Sequence, residues 1–240
     1  MKPYSFFLLI LILNFTILTC DKSVSTGGLK PAAVVFVAKT ADTSLQERGI
    51  DAVPDGDIIR LEWLENTEEI VDKYKVYRLE EGAVKYSLVS VTRDTVFEDN
   101  DITTHKRYYY YVLAETDEGV TSEPSDTLNY LLLNKAVLLA PDSTVNKAQP
   151  TFKWRDPNEP FYHDYVIRVV NTDSNKTIWI GEKERESYDS NQEEIIFNTD
   201  SGATVSQLIP EMNYIWRIDI VGNERSGSES NWKPIMFKGE

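Results

Sequence analysis

The chain has one cysteine and two histidines among 240 residues, so the side chains that carry nucleophilic and metal chemistry are scarce. The thiolate is the reactive form of cysteine, and Cys20 is the sole candidate; a single thiol also excludes an internal disulfide. His105 and His163 fall in segments expected to connect elements, without partners at metal-ligand or nucleophile spacing. Carboxylates are abundant, 39 Asp and Glu against 25 Lys and Arg. Paired carboxylates of the kind that hydrolyse glycosidic bonds therefore arise by chance and single out no site. Glu47, Asp55 and Asp57 could offer oxygens to calcium, as could Glu98-Asp99-Asn100-Asp101. Neither group has the spaced acidic loop with a distal glutamate that calcium loops need, and Pro54-Asp55-Gly56 is a turn signal. The sequence contains no Gly-x-Ser-x-Gly elbow, phosphate loop or dinucleotide fingerprint. These observations lead to the expectation of a non-enzyme with no metal and no cofactor. A formal charge of -14 also repels phosphate backbones, so no nucleic-acid partner is expected.

The chemistry left to Cys20 is acylation. Met1-Lys2 is followed by an apolar run from Phe6 to Leu18, about 13 residues where a membrane span needs about 20. A charged start, a short apolar stretch and a cleavage region describe a secretory signal. The run ends in Ile17-Leu18-Thr19-Cys20, which resembles the lipobox of bacterial lipoproteins, with Thr19 larger than that family prefers. The resemblance implies removal of residues 1–19 and a lipid on Cys20. Residues 21–30 are small and polar and read as a flexible tether. The expected address is the bacterial cell envelope, on its periplasmic or surface side, anchored to a membrane by lipid.

The elements that follow read as strands. With 41% apolar and 11% aromatic residues the chain can build a core. Ile59-x-Leu61-x-Trp63, Tyr108-x-Tyr110-x-Val112-x-Ala114 and Tyr165-x-Ile167-x-Val169 alternate with period two. The pattern repeats along the chain. Trp63 precedes Tyr74 by eleven residues, as Trp154 precedes Tyr165. Ile102 precedes Tyr108 by six, as Leu208 precedes Tyr214, and each of these tyrosines precedes a Ser-Glu pair by fourteen. Together with the Leu208-x-Pro210-x-x-x-Tyr214 corner, these marks resemble fibronectin type III domains; the first copy has Thr104 in place of the corner proline. The resemblance implies an all-β chain of two tandem immunoglobulin-like (fibronectin type III) β-sandwiches, over residues 31–133 and 134–240. Trp63, Trp154, Tyr108 and Tyr214 are then core residues. The junction near Leu131-Leu132-Leu133-Asn134-Lys135 should be short and fairly stiff, with apolar surface buried between the sandwiches.

Specialised function belongs where the copies differ. If Tyr108, Tyr110 and Val112 face the core, Tyr109 and Tyr111 face outward, and so does Tyr77 on the neighbouring strand. Three tyrosines on one sheet face suit a protein contact or the stacking of sugar rings. The equivalent positions of the second copy, Ile215, Arg217 and Asp219, lack that character. That copy instead carries about fifteen extra residues, placed within 181–204 and read as a long solvated hairpin or a partner-contacting loop. The first copy has its own excess, an ordered loop over residues 46–57 before its second strand. The expected function is a non-catalytic scaffold or protein-interaction module with an envelope protein partner. The alternative is a carbohydrate-binding accessory lipoprotein that takes a glycan on Tyr77, Tyr109 and Tyr111.

Overall fold

The structure is a computed structural model, and it describes residues 29–239 apart from 69, 158–159, 162 and 186–190. The leader, Cys20 and most of the tether lie outside the described residues. Among the described residues sixteen strands follow one another: β1 (Asp51–Ala52), β2 (Ile59–Glu62), β3 (Val71–Glu80), β4 (Ser87–Thr92), β5 (Val96–Asp99), β6 (Arg107–Thr116), β7 (Leu128–Leu132), β8 (Val137–Ala140), β9 (Ser143–Val145), β10 (Thr151–Arg155), β11 (His163–Asn171), β12 (Lys176–Lys183), β13 (Gln192–Ile196), β14 (Met212–Gly222), β15 (Ser226–Glu229) and β16 (Lys233–Phe237). Among the described residues no helix is long and apolar enough to cross a membrane.

In the first sandwich a β1-β2-β5 sheet faces a β4-β3-β6-β7 sheet, and in the second a β8-β10-β13 sheet faces β12, β11, β14, β15 and β16. Three strands against four is the fibronectin type III-like arrangement; the second sandwich follows the same plan with five strands in its larger sheet, so the chain is a tandem of two fibronectin type III-like sandwiches. Period-two alternation places Tyr74, Val76, Tyr108, Tyr110 and Val112 in the first core. Tyr165, Ile167, Val169, Tyr214, Trp216 and Ile218 do the same in the second. The repeated spacing of eleven is a repeated ring contact. Trp63 meets Tyr74 edge-on with centroids 5.5 Å apart, and Trp154 meets Tyr165 edge-on at 5.1 Å.

Both corners form, with or without proline. The Tyr108 hydroxyl accepts from the Thr103 N–H at 3.0 Å, and the Tyr214 hydroxyl accepts from the Ile209 N–H at 2.9 Å. Tyr214→Phe keeps the ring but strands that N–H, which should cost about 1–3 kcal/mol. Urea denaturation would measure this; an unchanged midpoint would mean that water replaces the hydroxyl.

The two sandwiches are joined by more than a linker. β7 pairs in parallel with β15, Leu131 opposite Ser226 and Leu132 opposite Gly227. The Leu131 and Leu133 N–H groups donate to the carbonyls of Arg225 and Gly227 at 3.1 and 2.9 Å. One ten-stranded sheet therefore runs through both sandwiches, with its main path from β12 to β4. Gly227 is required by a close approach on the other side of β15, where a Cβ would lie 2.5 Å from the Ile220 carbonyl oxygen of β14; from the seam itself the Tyr130 hydroxyl comes within 3.1 Å. Side chains around β7 alternate between cores: Tyr130 and Leu132 belong to the first, Leu131 and Leu133 to the second.

Candidate interaction site

The outer face of the β4-β3-β6 sheet gathers two of the three tyrosines singled out from the sequence. Tyr77 and Tyr111 are register partners across β3 and β6, and their rings stack with centroids 4.8 Å apart and planes 11° from parallel. Tyr86, which precedes β4, meets Tyr111 edge-on at 4.7 Å. Burial, then the neighbouring Tyr77 and Tyr86, push the Tyr111 phenol above its usual value. Leu88 stands opposite Tyr77 and Val91 opposite Lys75, both about half exposed. Leu88 and Val91 share this face because Val89 is an extra residue, a bulge between the Val76–Ser90 and Tyr77–Leu88 pairs. Strand alternation alone gave no signal for Tyr86, since it lies just outside the strand.

Tyr109 is placed elsewhere on the same sheet. It pairs with Leu79 on one side and Asn129 on the other. With Arg107, Asn129, Glu224 and Arg225 it lines an open recess of about 390 Å³ at the seam between the sandwiches. Arg107 is fixed there by donating to Asn129 Oδ1 at 2.5 Å and to the Glu224 carbonyl at 2.8 Å.

Two of the outward positions of the second sandwich, Arg217 and Asp219, are covered by the first. Arg217 and Asp219 do point away from their own core, yet they are only 3% and 4% exposed. The loop before β1 lies over them. Register puts Arg168 opposite Arg217 and Asp219 opposite Glu229, like charge facing like charge, an arrangement that is unfavourable without bridging groups. Glu47 supplies the bridge, with one carboxylate oxygen 2.7 Å from Arg168 and the other 2.6 Å from Arg217. Asp219 lies 2.9 Å from the Arg168 Nε and 2.8 Å from the Arg217 Nε, and Glu229 is 2.6 Å from Arg217. Arg168 also donates to the carbonyls of Ser44, at 2.8 Å, and Asp42. Burial raises the Asp219 carboxyl against the pull of Arg217, while burial and the charge of Asp219 raise Glu229. Gly49 lets the loop turn back at φ +87°, where a Cβ would sit 2.7 Å from the Lys39 backbone. The sequence-predicted ordered loop is thus a clamp between the sandwiches, and Glu47 is committed to arginines.

Two further expectations change in detail. His163 is the first residue of β11 rather than part of a connection. Its Nε2 lies 2.7 Å from Asp156 Oδ2 and its Nδ1 2.8 Å from the Phe161 carbonyl, and the Tyr165 hydroxyl also donates to Asp156. An imidazole–carboxylate pair can act as a general base only where a substrate reaches it. Both side chains here are wholly buried, so the pair ties β11 to the end of β10. Within 181–204, residues 186–190 lie outside the described residues, while 192–196 form β13, paired along its length with β10. Part of the stretch 181–204 is therefore a regular strand of the sandwich, the counterpart of β5 in the first copy, and Phe197 beside it is a core residue. Among the described residues no cluster of three or more His, Cys, Asp or Glu could hold a metal.

No protein-family model matches the chain, and no curated protein matches it. Solved structures with fibronectin type III domains do. The chicken CNTN1 FN1-FN3 domains align at 12% identity over 88% of this chain and 67% of that one, with a TM-score of 0.35. A two fibronectin type-III domain segment from chicken tenascin aligns at 12% identity over 85% and 96%, with a TM-score of 0.28. The fibronectin type-III domain of human fibronectin type III domain containing protein 3 aligns at 19% identity over 44% and 89%, with a TM-score of 0.33. The likeness is weak, and the fold stands on the strand order and the two cores.

Proposed function

We propose that this chain is a non-catalytic protein-interaction module, carried as a lipoprotein of the bacterial cell envelope. In this reading Cys20 bears the lipid, residues 21–30 are the tether, and the paired sandwiches present the Tyr77–Tyr86–Tyr111 face to an envelope protein. The observation that carries it is that face: three clustered tyrosine rings bordered by the half-exposed Leu88 and Val91. Large aromatic side chains with little rotamer freedom, surrounded by apolar neighbours, are what protein interfaces use as anchors.

Cross-linking the lipidated protein in native membranes, followed by mass spectrometry, identifies the partner. Tyr77→Ala with Tyr111→Ala should then weaken that partner by about 30-fold or more, as removal of an anchor of at least about 2 kcal/mol requires. Circular dichroism should stay near that of the parent, because both rings stand outside the core. Undiminished capture by the folded double variant would remove the face from this role.

A second reading, glycan binding, has its own observation. The Tyr77–Tyr111 stack uses one face of each ring, whereas Tyr109 shares an open recess with the side chains of Arg107, Asn129 and Arg225. An aromatic ring beside hydrogen-bond donors is a common way to hold a sugar. Glycan binding lost with Tyr109→Ala and retained with Tyr77→Ala would support it.

A further inference from the structure

The recess at the seam is built by both sandwiches: Arg107, Tyr109 and Asn129 come from the first, Glu224 and Arg225 from the second. Its lining contains no aliphatic residue, and the Tyr109 ring is its one aromatic surface. A pocket for an apolar anchor is lined mainly by apolar side chains instead. The guanidinium groups here also stand apart from the others. Arg48, Arg78, Arg93, Arg168 and Arg217 each meet a carboxylate. Among the described residues, Arg107 and Arg225 form no ion pair. Arg107 is fixed by neutral acceptors, Asn129 Oδ1 and the Glu224 carbonyl, and both bonds come from its Nη1. Its charge stays uncompensated, and its Nη2 and Nε donors remain. Glu81 accepts the Arg107 backbone N–H at 3.3 Å and is not paired with the guanidinium.

The second sandwich brings its two residues at a conformational cost. Glu224 and Arg225 lie between β14 and β15 with φ of +54° and +57°, the left-handed region that residues other than glycine rarely enter. Asparagine and glycine usually fill such successive turn positions. The first sandwich holds this turn in place: the Leu131 N–H donates to the Arg225 carbonyl and Arg107 to that of Glu224. Strain of this kind persists only where the surroundings fix it, and it collects at binding sites.

We infer that the recess binds an acidic sugar, a uronic acid unit of an oligosaccharide, with the sugar ring on Tyr109 and its carboxylate on Arg225 and Arg107. This rests on the glycan reading of Tyr109 and goes further by naming the class of sugar. A carboxylate meets the guanidinium fork through two parallel hydrogen bonds, which a single hydroxyl does not. Two guanidinium groups against the one carboxylate of Glu224 leave the recess positive in a chain of formal charge -14. Sugar hydroxyls can donate to Glu224 and to the Asn129 side chain. A neutral sugar would leave both arginines without a counter-ion. An acidic side chain of a protein would satisfy the arginines and leave the Tyr109 ring uncovered. Because Tyr109 and Arg225 come from different sandwiches, the site exists only while β7 and β15 are paired.

Isothermal titration calorimetry on the full-length chain in detergent micelles tests this with trigalacturonate, trimannuronate and neutral galactotriose. At least one of the two uronates should bind about tenfold or more tighter than galactotriose, as charge-assisted hydrogen bonds require. Arg225→Asn removes the guanidinium with a residue that tolerates the left-handed backbone. It should weaken the bound uronate by about tenfold and leave galactotriose unchanged. The Arg225 side chain makes no hydrogen bond among the described residues, so circular dichroism should match the parent. Equal affinity for acidic and neutral sugars, or uronate binding indifferent to Arg225→Asn, would overturn the inference and leave the glycan reading standing. Binding of none of the three would overturn both. Triglutamate bound as tightly as the uronates would assign the recess to protein carboxylates and also overturn it. The variant leaves Tyr77, Tyr86 and Tyr111 in place, so its outcome is separate from that of the proposed partner site.

Discussion

Replacing Leu132 or Leu133 by alanine should each cost about 2–5 kcal/mol, the range for removing a buried leucine, although the two neighbours serve different sandwiches. Leu132 is fully buried in the first core and Leu133 in the second. Independent sandwiches would unfold in two transitions, with each substitution moving only its own. The β7–β15 seam predicts otherwise. Its backbone hydrogen bonds and its alternating side chains make the stretch from Tyr130 to Leu133 part of both cores at once. Both variants should therefore lower the midpoint of one shared transition. Urea denaturation followed by tryptophan fluorescence can check this, because Trp63 reports on the first core and Trp154, Trp179 and Trp216 on the second. Two separable transitions would show that the seam holds orientation without coupling stability.

The second large effect is expected at the clamp. Arg217→Met removes one of two guanidinium groups that hold Glu47, Asp219 and Glu229 in place. Breaking a buried ion pair from one side costs about 3–5 kcal/mol, because the charge left behind is uncompensated. The loss should depend on pH. In the parent protein burial raises the Asp219 and Glu229 carboxyls above their ordinary values. An acid raised on folding binds its proton more tightly in the folded state. Its contribution is therefore fullest near the ordinary carboxylate value and declines as pH rises through the raised one. Without Arg217 that decline should steepen, so the variant loses more stability at neutral pH than near pH 4.5. Urea denaturation at a series of pH values measures the difference. A loss that is uniform with pH would assign the effect to packing of the arginine over Trp232, whose ring lies 4.8 Å away.

The fold was legible because its marks are local. Trp-to-Tyr spacing, strand alternation and the tyrosine corner each operate over eleven residues or fewer, and each reappears as a contact between the same residues. The seam was half legible: an unbroken apolar run from Tyr130 to Leu133 signals a strand buried on both faces. The clamp was not legible. Arg217 and Asp219 occupy outward positions, and outward means exposed only if nothing comes to cover the face. What covers them is Glu47, 170 residues earlier than Arg217. Alternation placed Tyr77 and Tyr111 together because they share a register pair, and it missed Tyr86 because a residue outside any strand obeys no strand period. Tyr109 has the right face and the wrong place along it: its neighbours are Leu79 and Asn129.

The clamp also bears on the order in which this protein can be completed. Synthesis delivers a chain from its N-terminus, so residues 42–47 emerge long before the arginines that hold them. The contacts from Arg168 to Ser44 and from Arg217 to Glu47 span 124 and 170 residues. Until β11, β14 and β15 exist, the loop before β1 is held only by its own sandwich, through Arg48 on Glu62 and Lys39 on Asp51, and β7 has an open edge where β15 belongs. Contacts of such sequence separation are slow to form and leave strand edges uncovered meanwhile. The first sandwich to be made is therefore completed only with the second, and a chain halted after residue 133 would carry a bare edge and a loop whose Glu47 lacks both of its arginines.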